Sequence, residues 1–378
     1  MNSTETSAMP EYIMSLDGGP LMAGVQNSVY VLLAIVLRIY FGPLADRKGA
    51  PFVMLIGACG FCVPTTVMPA VTSPWAAATL HIMQAVGLAA YHPCVSSLLA
   101  TLAPPGKIGR NLGALRFVTT TAAMVGPVAL FPIIESLGYP MFFACLACIG
   151  FAGMILTLAM QRQCENPSIR AEEDASASSK SCRPAVFGPF VGFWKSLSVS
   201  NALLLALPFL MGLGYSIVLN YSQMLAKETL GELNPGLVFS SFSAGGLAGS
   251  IIIGYAFDRF GAKKSVLAGT MCCGLGMLAS SAPLSPPALL ACQALAGIGY
   301  YGTMTGMSSA AGTDVGRAKL SRFYAAQQSG IDLGIVFGGL GISLAISLGM
   351  PLQFGYITMG VTLLAFIPLW VLCYKQAA

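Results

Sequence analysis

The chain contains a long series of apolar stretches, each about as long as a helix that crosses a lipid bilayer. They fall at 21–42, 51–70, 75–101, 108–134, 139–161, 197–226, 233–257, 263–282, 286–311, 319–347 and 351–374. About 20 helical residues span the hydrocarbon core of a bilayer, which is ~30 Å thick. The series therefore predicts an all-α polytopic membrane protein with 11 transmembrane helices.

The scarcity of charge narrows the class of function. Only 9% of the residues are charged, against roughly 25% in an ordinary water-soluble domain. This composition excludes a soluble globule, a disordered chain and a nucleic-acid-binding protein. Most of the 11 cysteines lie in apolar stretches, and neither CxxC pair (Cys59/Cys62, Cys145/Cys148) has a second ligand cluster nearby. We therefore expect packing rather than metal or redox chemistry, and no cofactor.

Basic residues mark one set of alternate loops and predict the topology. The members of this set are Arg47, Lys48, Lys107, Arg110, Arg162, Arg170, Lys180, Arg183, Lys195, Arg259, Lys263, Lys264, Arg317, Lys319, Arg322 and Lys375. The opposite loops carry Lys227 alone. The positive-inside rule places the first set and the C-terminus in the cytoplasm, and hence residues 1–20 outside. The polar stretch 162–196 is predicted to be a cytoplasmic linker between a bundle of five spans (21–161) and one of six (197–378).

A nine-residue segment occurs twice. Residues 42–50 read GPLADRKGA, and residues 254–262, 212 positions later, read GYAFDRFGA, with five of nine positions identical. We call them the first and second repeat. Each lies at the predicted cytoplasmic end of a span and runs into a basic loop. The two halves of the chain are therefore predicted to be parallel structural repeats.

The aspartates of the repeats, Asp46 and Asp258, are predicted at helix C-termini, where the helix macrodipole is negative. Each carboxylate then needs a positive partner on another element, either a helix N-terminus or an arginine. Such a contact could latch two helices in one conformational state and release them in another. The alternative is that Asp-Arg only marks a membrane exit with cytoplasmic charge. The predicted latch residues are Asp46, Arg47, Gly49, Asp258, Arg259, Gly261 and Arg110.

These motifs resemble the major facilitator superfamily of secondary transporters. The repeats are similar to the family signature between helices two and three and between helices eight and nine, and residues 103–113 resemble the loop between helices four and five. Gly126-Pro127 resembles the fifth-helix motif associated with proton-coupled antiporters, although the fuller glycine pattern is absent. Residues 329–334 resemble a common eleventh-helix sequence. The resemblance covers the whole chain and implies two pseudo-symmetric helical bundles.

By this alignment the span at 21–42 corresponds to the family's second helix. Residues 10–20 then look like the outside loop after helix one, and the first helix is predicted to be absent. Either the start codon is assigned too late or the truncation is real. We favour the late start because helix one normally lines the family's central cavity.

Ionisable and polar side chains inside spans are candidates for the substrate or proton pathway, since burial in lipid is costly. Arg38 and Arg116 either serve that pathway or extend to the membrane interface. Asp332 either carries a coupling proton or pairs with a basic group at the gate. The resemblance places Tyr215 and Tyr301 in the helices that surround the substrate path.

The two histidines lie in the span at 75–101. His81 and His92 are 11 residues apart, which predicts a shared helix face bordered by Gln84 and Tyr91. A proton relay and a hydrogen-bonded structural role both fit them.

Three functions are consistent with the sequence. We favour a proton-driven secondary transporter that exports a small organic molecule across the cell membrane. We expect it to be a monomer in the lipid bilayer, with a small-molecule substrate and no nucleic-acid partner. A proton-coupled importer and a non-transporting sensor derived from a transporter are the alternatives. The sequence contains no HExxH, GxSxG or Walker motif, so no enzyme is predicted.

Overall fold

The computed structural model of the chain describes residues 2–104, 106–164, 198–230, 236–282 and 284–374. Most of these residues are helical, and no strand occurs within these ranges. The helices in chain order are α1 (Asn2–Ser15), α2 (Gly19–Lys48), α3 (Ala50–Val67), α4 (Pro74–Met83), α5 (Ala85–Leu102), α6 (Ile108–Cys164), α7 (Val199–Leu230), α8 (Gly236–Ser280), α9 (Pro286–Asp314), α10 (Leu320–Ser347) and α11 (Gln353–Cys373). The predicted all-α class is confirmed.

Local chemistry explains where these helices begin and turn. In lipid every backbone N–H and C=O must be bonded within its own segment, so apolar runs become helices. Proline occupies one of the first two positions of α2, α3, α4 and α9, where a backbone N–H has no helical acceptor. Gly49 has a φ of +88° and separates α2 from α3. Gly138 and Gly261 have φ values of +81° and +80° and divide α6 and α8 internally.

The helices are long and apolar enough for a multi-pass membrane protein. Eight helical segments among the described residues meet the length and composition of a membrane span. Two of them, Ala129–Arg162 and Leu237–Ser280, contain the glycine kinks of α6 and α8. The count of 11 crossings therefore stays a prediction. Most of the predicted linker, from residue 165 onward, and Lys375 lie outside the described residues.

The N-terminal segment corrects one expectation. Residues 10–20 look like an outside loop, but α1 continues helically to Ser15 and packs against α2 and α4. Its buried face includes Glu5, Ala8, Met9, Tyr12 and Ile13. The spacing of these residues is that of one helix face. A search for long apolar stretches overlooks this helix because it is short and polar elsewhere.

The chain divides into two compact units. In the described residues, the first unit comprises 2–98, 122–164 and 317–325, and the second comprises 99–121, 198–316 and 326–374, each with the gaps given above. One core of the first unit packs Met9 and Ile13 against Phe142 and Phe143. A second core surrounds Ala34 and Met54.

The second unit relies on close helix contacts at small residues. A Cβ on Gly276 in α8 would lie 2.5 Å from the backbone nitrogen of Ala296 in α9. Small residues that let helices approach are typical of packing within membranes, where apolar burial drives association weakly.

Candidate functional site

Asp46, in the last turn of α2, binds the N-terminus of α10. Its Oδ1 accepts a hydrogen bond from the backbone N–H of Ser321 at 2.9 Å, and its Oδ2 accepts one from that of Arg322 at 3.3 Å. The Nε atom of Arg322 lies 3.3 Å from the same Oδ2. All three residues belong to the first unit. The carboxylate therefore satisfies first-turn N–H groups that have no acceptor within their own helix.

Asp258 repeats this arrangement in the second unit. Its Oδ1 and Oδ2 accept hydrogen bonds from the backbone N–H groups of Gly109 and Arg110, at 2.8 and 2.9 Å, in the first turn of α6. The guanidinium of Arg110 lies over the ring of Tyr255, 4.4 Å from its centroid. Each aspartate thus has the kind of partner that its unfavourable place on its own helix predicts.

Two glycines in each repeat shape the contact. A Cβ on Gly42 would lie 3.0 Å from Cα of Arg322, and a Cβ on Gly254 would lie 2.6 Å from the carbonyl oxygen of Gly109. The first glycine therefore allows the partner helix to approach. The second, Gly49 or Gly261, has a positive φ that favours glycine.

The arginines of the repeats contribute differently from the aspartates. Arg47 and Arg259 are exposed. The guanidinium of Arg259 lies 5.3 Å from the ring centroid of its neighbour Phe260. Their inclusion in the latch stays a prediction.

A buried polar cluster lies in the first unit, where α1 meets α3 and α4. The side chain of Glu5 is fully buried. Its Oε1 accepts a hydrogen bond from Nε2 of Gln84 at 2.6 Å, and its Oε2 accepts one from the hydroxyl of Thr65 at 2.8 Å. Glu5 belongs to residues 1–20, which the sequence predicts outside the membrane, so this contact was not predicted. Glu5 is spaced from Met9 and Tyr12 as residues on one helix face are, and this spacing could have predicted its burial.

His81 lies beside this cluster and is also fully buried. Its Nδ1 contacts the side-chain oxygen of Gln26, which can only accept, so Nδ1 carries the hydrogen. Nε2 is then free to accept a hydrogen bond from Thr6, 3.4 Å away. The ring stacks on Tyr30 with centroids 4.5 Å apart. This geometry favours the structural role over the relay.

The other candidates from the first bundle have different surroundings. His92 is exposed, and Tyr91 packs its backbone against Gly57. The two histidines do not share one environment, because His81 is fully buried and His92 is exposed. Arg38 is only 2% exposed, which argues against its extension to the membrane interface.

An aromatic cluster lies in the second unit. Tyr215 stacks on Tyr300, with centroids 4.8 Å apart and an angle of 12° between the rings. Tyr301 packs edge-on against Tyr300, with centroids 5.0 Å apart and an angle of 89° between the rings. Arg116 lies in the vicinity of both Tyr300 and Tyr301.

Asp332 is half-buried near this cluster. Its carboxylate lies in the vicinity of Tyr300, and its Oδ1 accepts a hydrogen bond from Nε2 of Gln328 at 3.3 Å. The predicted residues Arg116, Tyr215, Tyr301 and Asp332 thus fall into one neighbourhood.

A series of apolar helices with paired aspartate contacts at helix ends defines the class, a multi-pass helical membrane protein. The chain belongs to the Major Facilitator Superfamily, whose family model matches residues 2–234 and 209–377. The family resemblance seen in the repeats is confirmed. Members of this family are transporters of small molecules and not enzymes.

Two relatives by sequence show how far the similarity extends. The uncharacterized protein Mb2288 of Mycobacterium bovis is 26% identical over 261 residues, 66% of this chain and 60% of that protein. The multidrug resistance protein MdtG of Enterobacter lignolyticus is 27% identical over 152 residues, 40% of this chain and 36% of MdtG. The chain therefore matches less than two thirds of the length of either relative.

Solved structures share the fold over almost the whole chain. The proton:xylose symporter XylE superposes with a TM-score of 0.73 at 13% identity, covering 100% of this chain and 96% of XylE. A bacterial homologue of the iron transporter ferroportin, in an outward-facing state, gives 0.73 at 14% identity, with 98% and 96% covered. At these identities the similarity establishes the fold alone.

Proposed function

We propose that the protein exports a small organic molecule across the cell membrane by alternating access, driven by a proton gradient. The observation that carries this proposal is the pair of equivalent contacts at Asp46 and Asp258. Each joins a segment that precedes residue 165 to one that follows residue 197. Rocking of two repeats about a central site requires contacts of this kind that form and break.

Each contact is suited to breaking. The carboxylate gains from backbone N–H groups of the partner helix but opposes the macrodipole of its own helix. Its net contribution is therefore moderate, on the order of 1–2 kcal/mol, and transport can overcome it. In this proposal the two contacts are latches at the cytoplasmic face, and the C-terminus is cytoplasmic.

Three observations support export as the direction of transport. The relative MdtG is named a multidrug resistance protein. Gly126-Pro127 in α6 resembles the antiporter motif, and the aromatic cluster around Tyr215 and Tyr300 offers stacking surfaces for an apolar or aromatic compound. We propose that this cluster, with Arg116 and Asp332, lines the substrate path.

Reconstitution into liposomes tests this function. A pH gradient of either polarity is imposed, and a panel of small amphiphilic compounds is screened for movement. We expect at least one compound to move against its own gradient, and a protonophore to abolish the movement. The proposal fails if neither gradient drives any compound while the protein is inserted and folded.

A further inference from the structure

Glu5 is a buried carboxyl group that the proposed transport path leaves unused. It projects from α1 and is fully buried against Thr65 of α3 and Gln84, which joins α4 to α5. In the described part of the chain, no lysine or arginine forms an ion pair with it. A buried carboxyl whose hydrogen-bond partners are neutral can exist in the protonated form at modest cost, because burial disfavours the charged form.

The hydroxyl of Thr65 can serve both protonation states of Glu5. Its Oγ lies 2.8 Å from Oε2 of Glu5 and also 2.8 Å from the carbonyl oxygen of Phe61. A hydroxyl has a single hydrogen, so it donates to only one of these acceptors at a time. The same Oγ lies 3.1 Å from Nε2 of Gln84, from which it can accept.

Two complete hydrogen-bond arrangements follow from these distances. When Glu5 is ionised, Thr65 donates to Oε2 and Gln84 donates to Oε1. When Glu5 is protonated, Oε2 donates to Thr65, whose own hydrogen turns to the carbonyl of Phe61. Gaining or losing a proton therefore rotates one hydroxyl and leaves no hydrogen unpaired.

We propose that Glu5 is the group that exchanges the coupling proton, with Thr65 as its positioning residue. This inference rests on the proposed proton-driven transport. The carboxylate takes one proton from water on one side of the membrane, becomes a neutral acid, and returns that proton to water on the other side.

The other titratable groups around Glu5 are few. The thiol of Cys62 on α3 interacts electrostatically with Glu5, and His81 on α4 contacts the neighbouring residue Thr6. The residues of α2 and α6 that face this region, Gln26 and Gly126, do not titrate. The chain's amino group lies four residues before Glu5 in the sequence.

The first test separates proton coupling from substrate movement. In Glu5→Gln we expect gradient-driven accumulation to fall to about the level of empty liposomes, while exchange of labelled for unlabelled substrate continues. Glu11→Gln changes an exposed acid on the same helix and should retain both activities. Thr65→Val should shift the pH profile of transport, and Thr65→Ser should restore it. A wild-type pattern in Glu5→Gln would overturn the assignment while leaving proton-driven transport intact.

A second measurement needs no transported compound. Infrared spectroscopy of the reconstituted protein follows the C=O band of protonated carboxyl groups as the pH is changed. We expect one titrating component to disappear in Glu5→Gln and to persist in Glu11→Gln. An unchanged titration in Glu5→Gln would overturn the proposal even if the wild-type protein transports nothing, in which case the proposed function would fail separately.

Discussion

The carboxylate of Asp46 accepts a hydrogen bond at 2.9 Å from the backbone N–H of Ser321, 275 residues later in the chain. Asp258 forms the same contact with the backbone N–H of Gly109 at 2.8 Å, across a separation of 149 residues. In both cases the acceptor ends one helix and the donor begins another. The duplicated sequence motif thus corresponds to a duplicated physical contact.

Asp46→Asn and Asp258→Asn should weaken the contacts and shift the conformational balance. An amide has one acceptor oxygen instead of two, and its NH2 group would face a backbone donor, which costs about 1–3 kcal/mol. The measurement uses a protein whose natural cysteines are replaced by alanine and which carries one reporter cysteine in the central cavity. We expect normal membrane insertion and a changed reactivity of this cysteine toward a membrane-impermeant thiol reagent applied from each side.

The matched control for these variants is Asp17→Asn. Asp17 is exposed and has a φ of +62°, which asparagine tolerates. Its reporter reactivity should equal that of the parent protein. Equal reactivity in all three variants would contradict the latch.

Gly254→Ala should destabilise the protein more than Gly42→Ala. The new Cβ would lie 2.6 Å from the carbonyl oxygen of Gly109 in the first case and 3.0 Å from Cα of Arg322 in the second. Overpacking of this kind typically costs about 1–3 kcal/mol. Thermal unfolding in detergent should show the order, and Gly153→Ala, whose Cβ meets nothing within 4 Å, should show no loss. The reverse order would mean that these glycines do not set the helix approach.

Gly49→Ala isolates the cost of the backbone conformation. Its Cβ would meet only Cδ of Pro51, at an ordinary 3.7 Å, but the φ of +88° with a ψ of 143° is strained for any L-residue. We expect a loss of about 1–3 kcal/mol in the free energy of unfolding. Gly341→Ala, in an open position of α10, serves as the control. No difference between the two variants would show that the turn after Asp46 can relax.

Tyr301→Phe should impair substrate handling if the aromatic cluster lines the transport path. The change removes the hydroxyl, the group that would bond a substrate in the path, while it keeps the ring that packs against Tyr300. We expect KM for the transported compound to rise several-fold with little change in the amount of folded protein, since one lost hydrogen bond is worth about 1 kcal/mol. Tyr40→Phe changes an exposed tyrosine and should leave KM unchanged. Identical kinetics in both variants would remove the cluster from the path.

Much of this architecture follows from local signals in the sequence. Apolar length predicted helices because lipid leaves the backbone no other partner, and the repeat at Asp46 and Asp258 predicted charged ends that need a partner. Which helix N-terminus supplies the N–H groups could not be predicted. Tertiary packing brings Ser321 and Gly109 to the aspartates, and the sequence around these two residues does not indicate the contact.

The burial of Glu5 could not be predicted from a search for apolar stretches. Its helix α1 is short and contains polar residues, so it produces no apolar stretch of membrane-spanning length. His81 is likewise buried while His92 is exposed, although helical spacing alone places them together. The pattern of one helix does not show which neighbouring helices bury a side chain.

The central claim is that substrate movement and proton movement are coupled in one protein. The most direct measurement adds a transported compound to proteoliposomes that have no imposed gradient and follows the internal pH with a trapped dye. Antiport predicts that the lumen becomes alkaline as the compound enters and protons leave, and that Glu5→Gln abolishes the change while Glu11→Gln does not. An internal pH that stays constant during substrate entry would contradict the account.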